Sequence, residues 1–362
     1  MKSRNLISKV PQTGGVTQGA LLLCAKITLL VAVFCLVGQP ALAKGVKNCS
    51  KTAKFAFKAC KNEAKDDYYI AVGNCYYLTT KDQTEECISQ AKLELKEAKE
   101  DCEDQKDARK DVCEAVGEDP YNPVINPANF VGPATIDQGT ANLYFPLVPG
   151  YFWTYKTREG GVVTETNTVE VLAGESVMIE GVDCIVVHDI VYEGDTTDPA
   201  AIIEDTYDYY AQDMDGNVWY FGEFSVARQE CDEETGELCE GLYGDEGSWQ
   251  AGFEGGKPGI IMFADPSAQI DTVYRQEFAL GDAEDAAQVI SVDGSTSVTV
   301  PIDGGTTFDT NVLNTWDFSP MEPDVGENKF YAPGVGMILE VASEEGVETG
   351  ERNELESASF YP

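Results

Sequence analysis

Histidine is almost absent from this chain: His188 is the one example among 362 residues. No Cys-x-x-Cys pair occurs, and no Cys-x-x-Cys-His. Zinc sites of the Cys/His type and c-type haem attachment are therefore excluded. A Gly-x-Ser-x-Gly nucleophile turn is missing as well. His188 has no triad to serve, and within Val186-Val187-His188-Asp189-Ile190 it reads as a strand histidine with a structural hydrogen bond.

Positive charge is scarce in one part of the chain only. There are 25 basic and 63 acidic residues in all. Residues 44–117 hold 14 basic and 15 acidic, and everything after Gly117 holds 7 against 48. Acidity belongs to the second part rather than to the protein as a whole. Such a field repels nucleic acid and anionic membrane surfaces, and attracts divalent cations or basic partners. It also keeps a secreted protein soluble.

Long apolar runs are confined to the N-terminus. Lys2, Arg4, Lys9 and Lys26 precede the first acid, Glu63. Residues 27–37 form an apolar run of 11, and Ala41-Leu42-Ala43 is an A-x-A cleavage site. Residues 1–43 thus read as a secretory signal. The run is too short to span a bilayer, so no stable membrane span is expected after cleavage. The expected location is periplasmic or extracellular. A tether made by an uncleaved N-terminal helix is the alternative.

Six cysteines follow in mirror symmetry. Cys49, Cys60, Cys75, Cys87, Cys102 and Cys113 are spaced by 11, 15, 12, 15 and 11 residues, centred on Lys81. On a helix these gaps are about three and four turns, so each arm carries its cysteines on one face. Folding the chain at Lys81 predicts an antiparallel helical hairpin over residues 44–117, with nested disulfides Cys49–Cys113, Cys60–Cys102 and Cys75–Cys87. Export into an oxidising compartment favours disulfides over metal ligation. A disulfide needs Cα atoms closer than ordinary helix packing allows. Ala53, Ala56, Ala64, Ala91 and Ala98 along the seam permit that approach. Gly73 is expected to mark a local break near the tip.

Residues 118–142, with Pro120, Pro123, Pro127 and Pro133, show neither a helical nor a strand period and read as a linker. Residues 143–362 are β in pattern. Candidate strands cover 169–172, 176–180, 184–192, 205–212, 218–224, 248–253, 259–263, 272–280, 287–292, 297–301, 312–318, 329–331, 337–341 and 354–360. Turns such as Asp215-Gly216-Asn217 separate them. No helices alternate with them, which excludes a parallel sheet. The expected class is α + β in separate domains: the stapled hairpin, then an all-β domain of curved antiparallel sheet or half-barrel.

Tyr144-Phe145-Pro146-Leu147-Val148-Pro149-Gly150 with Trp153-Thr154-Tyr155, and Tyr331-Ala332-Pro333-Gly334-Val335-Gly336 near the end, resemble the opening and closing motifs of a largely uncharacterised group of exported bacterial β-domain proteins. Tyr210-Ala211-Gln212-Asp213 and the run from Gly216 to Glu223 are similar to that group's central hairpin. The resemblance implies an export-associated curved sheet, loosely like periplasmic lipoprotein-carrier folds. It implies no activity.

Several residues are candidates for a site. Trp153, Trp219, Trp249 and Trp316 could line a ligand cleft or fill a sheet core. Arg275 and Glu277 are expected on one face of a single strand, as an ion pair or a ligand-orienting pair. Asp213 and Asp215 resemble the start of a calcium loop without its remaining ligands, and a turn explains them equally. Cys231 and Cys239 are expected to close a loop containing Asp232, Glu233 and Glu234, a second place for a cation. Cys184 is left over as a buried thiol. No cofactor is expected, with calcium the one candidate. The expected function is a non-enzymatic exported protein that binds an unidentified ligand or envelope partner and no nucleic acid. The alternatives are a secreted carboxylate-dependent glycan hydrolase and a calcium-using structural or adhesive envelope protein.

Overall fold

Two helices stapled side by side lead into a large antiparallel sheet. The computed structural model describes residues 47–228, 230–232, 237–238, 241–242, 244, 247–293, 296–344 and 346–360. The expected signal segment lies outside them.

Helix α1 spans Asn48–Cys75 and helix α2 spans Lys81–Val116. Thr80 caps α2 by accepting from the backbone N–H of Gln83, whose side chain receives the Thr80 hydroxyl at 2.8 Å. At the other end Gly117, at φ 91°, turns the chain and donates its N–H to Cys113 at 3.0 Å. The three disulfides are the nested ones, with Cα–Cα distances of 5.5, 5.9 and 5.7 Å from the open end to the tip. Ala53, Ala56, Ala64 and Ala91 are buried in the seam, which is what lets the axes come so close. Gly73 breaks nothing. Helix α1 continues through it to Cys75, where the innermost disulfide anchors the last turn.

The strands are β1 (Phe152–Glu159), β2 (Val162–Ile179), β3 (Val182–Glu193), β4 (Ile202–Gln212), β5 (Val218–Ala227), β6 (Glu230–Asp232), β7 (Glu237–Leu238), β8 (Trp249–Gln250), β9 (Lys257–Met262), β10 (Val273–Arg275), β11 (Glu277–Phe278), β12 (Ala286–Asp293), β13 (Val298–Val300), β14 (Thr306–Phe308), β15 (Val312–Phe318), β16 (Val325–Ala332), β17 (Gly336–Glu344) and β18 (Val347–Ala358). Among the described residues, 14 of them form one sheet. Its order is β10-β12-β15-β16-β17-β18-β1-β2-β3-β4-β5-β9-β11, with β8 added on β5. Among the described residues every strand pairing in it is antiparallel. The β6–β7 and β13–β14 pairs stand apart as two-stranded ribbons.

The two ends of this order, β10 and β11, are separated in sequence by Gln276 alone. The sheet therefore curls until its edges meet at one residue. A close backbone approach makes this possible. A Cβ on Gly259 of β9 would come within 2.4 Å of the Gln276 carbonyl, so only glycine fits there. The single strand expected over 272–280 is thus two short strands that hand over from one edge of the sheet to the other.

Several strands run longer than their apolar pattern. Strand β2 extends over 18 residues, and β1 was not expected at all. Their buried positions include polar residues, Thr157 in β1 and Thr166 and Thr168 in β2, so the strands alternate in burial without alternating in hydrophobicity.

The 118–142 segment is strapped to the sheet. It contains two 3-10 turns, Pro127–Asn129 and Pro133–Thr135. The Phe130 ring packs edge-on against Phe221 at 5.5 Å, the Val131 N–H donates to Gln212 at 3.0 Å, and the Tyr121 hydroxyl donates to Pro258 at 2.8 Å. The hairpin also touches the sheet. Arg109 of α2 meets Glu284 in a buried ion pair, and the Gln105 side chain donates to the Met321 carbonyl at 2.9 Å. Among the described residues no helix is long and apolar enough to cross a membrane.

Candidate functional site

Alternation along the strands sends every second side chain to the concave face of the sheet. Near one end these side chains are large and apolar, and they close the core. Further along they become polar, the packing opens, and a cavity of about 390 Å³ remains. That volume suits a small organic ligand.

One wall is apolar, built from Leu147, Trp153, Val169, Val171, Val187 and Met337. Hydrogen bonds fix Trp153 and the neighbouring lining residue Tyr155: Trp153 Nε1–H donates to the Val335 carbonyl at 2.8 Å, and the Tyr155 hydroxyl to the Met337 carbonyl at 3.2 Å.

Beside these apolar groups the lining is acidic: Asp189, Asp208, Glu277, Asp285, Asp317 and Glu340 all belong to it, with one cation, Lys329. Strand register brings these groups together. Val187 pairs with Asp208, Asp208 with Glu223, Lys329 with Glu340, and Glu340 with Asn353. Lys329 Nζ lies 3.1 Å from Glu327, 3.4 Å from Glu340 and 3.8 Å from Asp317. Burial opposes charge on this ammonium, but Glu327, Glu340 and Asp317 outweigh it and push its pKa above the ordinary lysine range. Asp317 also accepts from Thr315 at 2.6 Å and Gln276 at 3.0 Å, and Asp189 accepts from Asn167 at 2.8 Å.

Tyr220 exposes the protonation state of the wall. Its hydroxyl oxygen lies 2.6 Å from Asp208 Oδ1 and 2.8 Å from Glu223 Oε2. A tyrosine hydroxyl has one proton to donate. It can serve only one of two carboxylates, so the other carboxyl must carry a proton and donate to the tyrosine oxygen. Electrostatics agree. Burial, then the negative charge of Asp189, raises Asp208 to about 7. Burial, then Asp208, raises Glu223 to about 8. Burial, then Glu204, raises Asp189 to about 7. Glu277 is also pushed up, by burial first and then by Asp285 and Glu223.

The residues expected from sequence scatter around this cavity. Trp153 and Glu277 line it. Trp249 is buried behind the wall, edge-on to Tyr220 at 5.5 Å. Trp219 lies on the outer face and donates Nε1–H to Asp213 at 2.9 Å. Trp316 covers Gly326, where a Cβ would come within 2.3 Å of its ring. Arg275 does not share a face with Glu277, because the chain changes sheet edge between them. It is buried against the hairpin instead, with Nη2 3.7 Å from Cys49 Sγ and its guanidinium 4.5 Å from the centre of the Phe278 ring.

Asp213 organises a turn. It accepts from the backbone N–H of Asp215 and Asn217, the Asn217 amide and the Trp219 indole. Asp215 is exposed beside it. Among the described residues no group of three or more His, Cys, Asp or Glu is arranged to hold a metal ion. The expected Cys231–Cys239 bridge and the acids Asp232, Glu233 and Glu234 fall outside the described side chains. Cys184 is buried, and that burial pushes its thiol up to about 12. His188 bonds Asp205 at 2.8 Å and stacks on Tyr207 at 4.2 Å, on the face away from the cavity.

Comparisons with known proteins give two structural likenesses. A Bacteroides fragilis protein described as exported and as having a YmcC-like fold matches 60% of this chain and 100% of its own, at 14% identity and a TM-score of 0.34. A Parabacteroides distasonis protein described as a lipoprotein matches 60% of this chain and 99% of its own, at 13% identity and a TM-score of 0.31. No family model matches the chain, and no curated protein matches it significantly.

Asp189, Asp208, Glu340 and Lys329 were not singled out from the sequence, and Asp317 was noted only as the carboxylate beside Trp316. One signal was available for three of them: their neighbours two residues away face inward, as Val187 does for Asp189, Tyr210 for Asp208 and Tyr331 for Lys329.

Proposed function

We propose that this chain is an exported, non-enzymatic binding protein that holds a small ligand inside its curved sheet. The observation that carries the reading is the cavity of about 390 Å³, lined by both apolar and polar side chains, most of them from the sheet itself. Most of its polar groups are already held by neighbours, as in a site built to recognise rather than to react. The three disulfides support an oxidising compartment, the periplasm or the exterior.

The test is native mass spectrometry of protein purified from its own host, compared with a cavity-filling Val171→Trp variant that keeps the wild-type circular dichroism. A bound species present in the wild type and lost in the variant supports the reading. A species retained equally by both overturns it.

A further inference from the structure

We propose that the cavity, taken as the binding site argued above, selects an organic cation: an ammonium group carried on an apolar body. The first reason is a shortage of donors. Asn167 Oδ1 and Asn353 Oδ1 are buried, and neither has a hydrogen-bond partner among the described residues. Both residues line the cavity. They flank strand β1, Asn167 pairing with Tyr155 and Asn353 with Thr157. The Asn167 amide nitrogen is engaged by Asp189, so turning that amide over would break an existing bond. A buried acceptor without a donor is destabilising. Two of the cavity's donors are committed: Gln276 to Asp317, and Lys329 to its three carboxylates. A ligand that brings N–H or O–H donors of its own would satisfy the two amide oxygens.

The second reason is charge. Asp189 and Asp208 face the site from β3 and β4 and Glu277 from β11, with Glu223 of β5 behind them on the Tyr220 hydroxyl. Asp285, Asp317 and Glu340 face it from the other side, with Lys329 the one cation. An anionic ligand would meet carboxyl groups on most sides. A cation would relieve their repulsion. The third reason is the proton that Tyr220 forces onto Asp208 or Glu223. It marks a place where one negative charge of the carboxyl pair is already neutralised. An arriving ammonium takes over that role, and the proton leaves to solvent, so the charge balances. The apolar wall of Leu147, Trp153, Val171 and Met337 then receives the body of the ligand.

The experiment titrates the full mature chain calorimetrically at pH 7 with three probes that share one body: phenylbutylamine, phenylbutanol and phenylbutyrate. Each titration is run in two buffers of different protonation enthalpy. The expected result is amine binding at least ~10-fold tighter than the alcohol, about 1.4 kcal/mol. No acid binding is expected, and the amine heats should differ between buffers by the release of a proton. Asn353→Leu, checked for folding by circular dichroism, should weaken the amine and the alcohol alike, because both bring a donor to that oxygen. Alcohol or acid binding as tightly as the amine overturns cation selection while leaving a ligand-binding cavity in place. Binding by none of the three overturns it too, and the native mass spectrum separately decides whether the cavity holds a ligand of another kind.

Discussion

Arg109 and Glu284, 175 residues apart, hold each other in a closed grip at the junction of hairpin and sheet. Arg109 Nε is 3.0 Å from both carboxylate oxygens of Glu284, and Nη2 is 2.7 Å from one of them. The two side chains are 6% and 2% exposed. The Gly281 N–H adds a further bond to the same carboxylate at 3.0 Å. Breaking a buried pair leaves one charge stranded, at a cost of about 3–5 kcal/mol. Arg109→Ala should therefore lower the melting temperature by roughly ten degrees. The double variant Arg109→Leu with Glu284→Leu should recover most of that loss, because it strands no charge. A double variant as unstable as the single one would refute this account.

The acidic cavity makes stability depend on pH in an unusual direction. Asp189 and Asp208 are raised to about 7 and Glu223 to about 8, against ordinary carboxylates near 4. Between about pH 4 and 8 the folded protein retains protons that the unfolded chain has released. These groups stabilise the fold fully below pH 4, and their contribution is lost as pH rises through 7 to 8. Melting should occur several degrees higher at pH 5 than at pH 8, and Asp208→Asn should flatten the slope. Thermal scans across that range decide it. A midpoint that climbs from pH 5 to 8 would contradict it.

Salt should help, and calcium should help no more than its ionic strength. Among the described residues the Asp213 carboxylate is filled by its own turn and by Trp219, which leaves it a poor ligand. Screening of the 48 acids after Gly117 acts at ~8 Å in physiological salt. Calcium chloride and sodium chloride matched for ionic strength should raise the melting temperature equally. A larger shift with calcium would locate a specific site, with the loop holding Asp232 and Glu234 the first to mutate.

Two glycines should respond oppositely to alanine. Gly259→Ala drives a methyl to 2.4 Å from the Gln276 backbone and should cost about 1–3 kcal/mol or more. Gly73→Ala meets nothing within 4 Å on the exposed side of a helix and should gain about 0.5–1 kcal/mol. Chemical denaturation of both variants measures the pair.

Legibility in the sequence followed the strength of the constraint. The disulfide map could be read because covalent geometry and helical rise together admit one nested pairing of Cys49 to Cys113. The strands of the core could be read because burial imposes a period. Where the buried positions are threonines, as Thr166 and Thr168 are in the first half of β2, the hydrophobic period stops although the burial does not, and the strand becomes invisible. The closure at Gln276 left no trace in the pattern, since an alternating run looks the same whether or not it changes edge midway. Arg109 was overlooked although it lies seven residues after Cys102 and four before Cys113, on the seam side of its helix. An arginine there implied a partner from outside the hairpin. The cavity acids were hidden by abundance: among 48 carboxylates, nothing in composition distinguishes Asp208 from an acid in a loop.

The meeting of β10 and β11 at Gln276 has a consequence for how the protein meets copies of itself. An open sheet of this size would present two ladders of free amide and carbonyl groups, each a template for a second chain. Here the terminal strands are three and two residues long, and the chain itself passes from one to the other. Neither rim is long enough to recruit a neighbour's strand. The same turn that completes the wall of the cavity thus protects the protein against edge-to-edge aggregation.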